Sequence, residues 1–204
     1  MTVVIHDDPW SLLAARPALG VTWLATAPAA RRYVAGWSGR DELHVLAPSL
    51  LARRASNVPG SAQMLTLAPA SLYTRRVIVE CNHELHAARA PKRLTTSLRW
   101  AWMLEGGSRW FSGETSHARG AIIRRLREGR RPSFPPGLRD ATLLGGTVID
   151  LVVREQGVEA AAQMVTRLHP QGPRAALIKA FGGRPLVHTE GAWRSHLARM
   201  ASAA

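Results

Sequence analysis

In this 204-residue chain the residues best able to do chemistry gather in Val79-Glu80-Cys81-Asn82-His83-Glu84-Leu85-His86, and Glu105 follows 19 residues after His86. Imidazoles and a carboxylate are donor types that Zn²⁺ accepts. A zinc held by three protein groups keeps a fourth position for a water, which it acidifies. His83 and His86 are three residues apart, about 60° around a helix, so both can turn toward one ion. Glu105 is then the third ligand, with Glu80 or Glu84 as the base. The same residues also fit a plain hydrated helix face of Glu80, His83, Glu84 and Arg89.

A second element narrows the choice. Trp102-Met-Leu-Glu105-Gly106, continued by Ser108-Arg-Trp-Phe-Ser-Gly113, resembles the W-x-x-E-G-x-A-x-[YF] helix of the peptidase MA-like group of gluzincin metallopeptidases. Tyr33–Leu46 is similar to the strand pair before the zinc helix of that group. Ala141–Glu155 resembles its helix after the loop. Ala175–Leu197, with Phe181-Gly182 and Trp193-Arg194, resembles its C-terminal helices. The resemblance runs from about Tyr33 to about Arg199. It implies a gluzincin core, zinc as cofactor, and amide hydrolysis by metal-bound water. In that reading Glu105 with His83 or His86 holds the metal, and Glu80 or Glu84 is the base.

The zinc motif itself departs from His-Glu-x-x-His, in which two imidazoles one turn apart grip the metal and the Glu between them polarises its water. If Val79–His83 fills the five positions, Val79 stands where the first His belongs. If Asn82–His86 fills them, Asn82 replaces that His and His83 replaces the Glu. Valine binds no metal, and an amide oxygen is a weak donor for zinc. The resemblance therefore implies a metallopeptidase-like domain with a damaged site. Such a domain is either inactive and kept as a binding or scaffolding module, or altered in its metal binding.

These residues need elements to hold them. Val3–Ile5 is a short β-branched run, and Asp7-Asp8-Pro9 signals a helix over Trp10–Ala15. Ala27–Arg32 reads as helix. Tyr33–Trp37, the turn Ser38–Asp41 and Glu42–Leu46 read as a hairpin. Pro48–Ser56 predicts a short helix and Val58–Ser61 a loop. From Ser71 the pattern turns helical, with long helices expected over Leu72–Ala88 and Leu98–Phe111. The Gly106-Gly107 pair in the second marks a helix end or the close approach of another backbone, since each glycine costs about 1 kcal/mol relative to alanine. After the loop Arg131–Gly137 come helices over Arg139–Glu155, Val158–Leu168, Pro173–Phe181 and Thr189–Met200. The expectation is a single α+β domain. A small N-terminal β-sheet (residues 1–70) packs on zincin-like helices, and residues 71–204 are helical.

Composition bounds the remaining choices. Hydrophobic residues make up 46% of the chain, enough for a core. No apolar stretch is long enough for a membrane span, and Met1–Trp10 lacks the basic start of a secretory signal. Cys81 is the lone cysteine, so no internal disulfide forms, as suits a cytoplasmic protein. It sits after Val77-Ile78-Val79 and is expected to be buried. No Gly-x-Ser-x-Gly elbow and no Gly-x-x-x-x-Gly-Lys loop is present.

The net charge of +13 invites nucleic-acid binding. However, 25 of the 27 basic residues are Arg, and no zinc-finger, RRM or KH signature occurs. The densest run, Arg124, Arg125, Arg127, Arg130 and Arg131, lies beside apolar residues at helical spacing, so its cations are expected on the solvated face. A second reading is a non-catalytic module whose cleft and cationic surface bind an acidic partner, a peptide or a nucleic acid. His117, His169, His188 and His196 are expected at the surface, and most tryptophans in the core.

Overall fold

The N-terminal apolar runs pair as one small sheet. In the computed structural model, which describes residues 1–87 and 92–202, β1 (Thr2–His6) lies parallel to β3 (Glu42–Leu46), with Thr2 opposite Glu42 and His6 opposite Leu46. β2 (Gly36–Ser38) pairs antiparallel with β3, so the order is β1-β3-β2 and β2 is an edge. Between β1 and β2 run α1 (Pro9–Ala15), α2 (Ala18–Ala25) and α3 (Pro28–Arg31). Asp8 caps α1, its Oδ1 accepting from Trp10 N and Ser11 N at 2.8 and 2.9 Å. α2 carries no sequence signal because apolar residues occupy all its faces: Leu19 is buried while Val21 and Leu24 are exposed.

The rest is helical: α4 (Pro48–Arg54), α5 (Ser61–Cys81), α6 (His83–Ala87), α7 (Lys92–Arg99), α8 (Ala101–Phe111), a 3-10 turn (Glu114–His117), α9 (Arg119–Leu126), α10 (Leu138–Gln156), α11 (Val158–Thr166), α12 (Pro173–Ala180) and α13 (Leu186–Ser202). The fold is α+β, a small N-terminal sheet followed by helices. Several boundaries differ from expectation, and the first strand of the hairpin is Gly36–Ser38 rather than Tyr33–Trp37. α5 begins at Ser61, eleven residues before Leu72, because it runs through Pro69, which in sequence reads as a break. It stops at Cys81, where Asn82 turns extended (φ −94°, ψ 95°). The expected Leu98–Phe111 helix is divided at Trp100 (φ −102°, ψ 13°), whose indole is buried.

The tightest helix contact joins α8 to α10. A Cβ on Gly106 would fall on the carbonyl carbon of Gly145, and one on Gly145 would strike the carbonyl oxygen of Trp102. Of the expected pair, Gly106 makes a close backbone approach, while Gly107 lies against the side chains of Val165 and Ile78. α8 also packs beside α5.

Five side chains sit otherwise than their sequence suggests. Arg125 is fully buried, its Nε and Nη2 donating to Asp140 at 2.5 and 3.1 Å, because α10 covers that side of α9. His196 is fully buried against Asp150 (2.9 Å). Burial opposes the Asp150 charge, but hydrogen bonds from His196 and Trp110 hold this carboxyl below its ordinary range. Cys81 is exposed, although Ile78 and Val79 in the same last turn of α5 are buried in the core. Among the tryptophans, Trp100, Trp102 and Trp193 are core, whereas Trp10 and Trp23 are exposed.

Candidate functional site

Glu105, on α8, faces α5. Its Oε1 accepts a hydrogen bond from Arg75 Nε at 2.9 Å. Both side chains are partly sheltered, at 25% and 17% exposure, so this pair is screened less than a surface ion pair. They line a cleft of about 70 Å³ with Trp37, Ser38, Ser71 and Ser108. Arg109, buried, lines the same cleft, pairs with Glu114 and donates from Nη2 to Tyr33 O at 3.0 Å. Burial pulls the Arg109 guanidinium below its usual range, while Glu105 and Tyr33 favour its charge.

The edge strand lines the same cleft. Ala35 O accepts from Leu46 N (3.1 Å), and Gly39 N donates to Glu42 O (2.8 Å). Positions 35, 37 and 39 therefore face β3. By the alternation of an antiparallel ladder, the backbone N–H and C=O of Gly36 and Ser38 face outward.

The other predicted site residues lie elsewhere. Glu80, on α5, pairs with Arg76 one turn earlier. His83 and Glu84 are exposed on α6, beyond the break at Asn82, so they do not continue the helix that carries Glu80. His86 is on α6, and its side chain lies outside the described residues. Among the described residues no three His, Cys, Asp or Glu side chains are grouped to hold a metal ion. A metal at Glu105 has to displace the Arg75 guanidinium.

Asn82, which replaces a histidine in one of the two expected registers of the zinc motif, is held by three hydrogen bonds. It is 2% exposed. Its Nδ2 donates to Ile78 O (2.7 Å) and Val165 O (2.8 Å), and its Oδ1 accepts from Leu168 N (2.7 Å). The amide thus clamps the end of α5 to the end of α11. Sequence reading missed this, and also missed Arg75, thirty residues before its partner with no motif to mark it.

A second polar chain crosses the sheet. Ser11 Oγ lies 3.1 Å from His6 Nδ1, His6 Nε2 is 2.9 Å from His44 Nδ1, and His44 Nε2 is 3.1 Å from Glu42 Oε2. Arg16 also pairs with Glu42. Burial first, then the neighbouring His44, lower the His6 pKa.

Comparison of the chain with protein-family models, with curated proteins and with solved structures gives no match.

Proposed function

We propose that this chain is a metallopeptidase-like domain that works as a non-catalytic binding module, taking an extended peptide along the outer edge of β2. One observation carries the reading: Gly36 and Ser38, whose outward backbone groups have no hydrogen-bond partner among the described residues, line the same cleft as the Arg75–Glu105 pair. An added strand gains backbone hydrogen bonds from the edge, and its alternate side chains find the pockets that give selectivity. Here a short polar or acidic side chain fits. Ser38 and Ser71 offer hydroxyls, whereas that of Ser108 is given to Glu105 O (2.9 Å), and an incoming carboxylate can share Arg75 with Glu105.

A second reading is an altered metal site of His83, His86 and Glu105, with Glu80 or Glu84 as base. What favours it is the side-by-side packing of α5 and α8, with Glu105 turned toward α5. Zinc there would acidify a bound water.

Elemental mass spectrometry on the tag-free protein, together with binding to an immobilised library of short peptides, separates the two. The module reading expects no stoichiometric zinc, and peptide binding that Ser38→Pro abolishes by removing an outward N–H. Arg75→Ala should weaken binding to acidic peptides tenfold or so, as loss of a charged hydrogen bond does. Stoichiometric zinc that vanishes in Glu105→Ala would replace this proposal with the metal reading.

A further inference from the structure

The cations of α9 have no job in either reading. Arg119, Arg124 and Arg127, with His117 from the preceding turn, form one wall of a surface groove of about 710 Å³. Residues 57–60 form the other wall. We propose that this groove docks the phosphate backbone of a nucleic acid.

The walls are held close by glycines. Gly60 adopts φ +83°, and a Cβ there would collide with the carbonyl oxygen of His117. A Cβ on Gly120 would press against Pro59 O at 2.8 Å. Arg119 is anchored at its base, Nε donating to Met200 O at 2.8 Å. The groove is therefore built into the backbone.

Its charge is uncompensated. Among the described residues no carboxylate lines it. The acids on neighbouring elements are engaged: Glu114 with Arg109, Asp140 with Arg125, and Glu128 with Ala29 N and Arg139. Among the described residues, Arg124, Arg127, Arg130 and Arg131 have no carboxylate partner, and all four are exposed. Unpaired guanidiniums in a concave site favour a polyanion through counterion release.

The spacing sets the class of ligand. Arg119 to Arg127 spans about 12 Å along a helix at 1.5 Å per residue. Duplex DNA carries a charge about every 1.7 Å of its axis, so this span meets several phosphates. A lone phosphate or one phosphorylated side chain would engage only part of it. The groove contains no Trp, Tyr or Phe on which bases stack. Contact is therefore to the backbone, without sequence preference.

Fluorescence anisotropy with labelled single-stranded and duplex oligonucleotides, titrated with salt, tests this. Binding should weaken with a log–log salt slope of about −2 to −3, as three engaged arginines require. Arg124→Glu/Arg127→Glu should lower affinity at least tenfold and flatten the slope by about two. Arg40→Glu/Arg174→Glu makes the same charge change at exposed sites outside the groove and should stay within about twofold. Circular dichroism checks that the variants fold, and Arg124→Ala/Arg127→Ala is the milder companion. Three outcomes overturn the proposal: no binding at about 50 mM salt, equal loss in both charge-reversal pairs, or polyglutamate or phosphatidylserine vesicles competing as well as DNA. The groove shares no residue with the β2 cleft, so peptide binding tested through Ser38→Pro stands or falls separately.

Discussion

His6 and His44 face each other ring nitrogen to ring nitrogen at 2.9 Å, so one proton lies between them and two cannot. Ser11, Glu42, Arg16, Asp7 and Asp8 complete the surroundings. Because burial and His44 lower the folded-state pKa of His6 below 6.5, the unfolded chain binds its proton first as pH falls. Stability from this group is full above pH 6.5 and is lost as acidification continues through the lowered value. Thermal melts from pH 7 to 5 should show a decline in Tm that His6→Gln largely removes. An equal decline in both proteins would exclude His6 as its source. Asn82 makes a related point. In sequence it is a defective zinc ligand, whereas in the fold it is a clamp with three hydrogen bonds. Residue type alone does not separate the two, because an amide serves either role.

Glycine decides the geometry at the scale of elements. Gly106 on α8 and Gly145 on α10 let two backbones touch, while Gly107 and Gly146 leave room for the side chains of Val165 and Thr115. Gly106→Ala adds a methyl that meets backbone rather than a flexible side chain. It should cost at least about 3 kcal/mol in urea denaturation, the upper range for overpacking, despite the better helix propensity of alanine. A loss below about 0.5 kcal/mol would mean that the helices separate easily, against this packing. The doublet at 106–107 marks in sequence either a helix end or a close approach, and Gly106 makes the close approach; nothing in sequence marks Gly145 as its partner. Helix ends were read best where a punctuating residue acts locally, as Asp8 does for α1. They were missed where tertiary contacts override, as at Pro69, Asn82 and Trp100.

At the scale of the whole molecule, the sheet-bearing start, itself mostly helical, and the later helices are tied by specific bonds. Ala27 N donates to Arg139 O (2.9 Å), Ala29 N to Glu128 Oε1 (2.8 Å), and Arg109 Nη2 to Tyr33 O (3.0 Å). Calorimetry should therefore give one unfolding transition, with a calorimetric-to-van't Hoff enthalpy ratio near one. Two resolved transitions would show separate units. No helix is long and apolar enough to cross a membrane among the described residues. The positive charge is unevenly spent: Arg109 and Arg125 hold the core together, while Arg124, Arg127, Arg130 and Arg131 stay exposed.

The sequence by itself determined the α+β class and the order of most elements, because hydrophobic periodicity and Pro/Gly punctuation are local signals. It also singled out Glu105. Only the tertiary structure decided that Glu105 meets Arg75, that Arg125 and His196 are buried, and that Asn82 joins α5 to α11. Each of these depends on which face of a helix another element covers. That is settled by contacts between residues tens of positions apart, 30 for Arg75 and Glu105 and 83 for Asn82 and Val165, which no local spacing encodes.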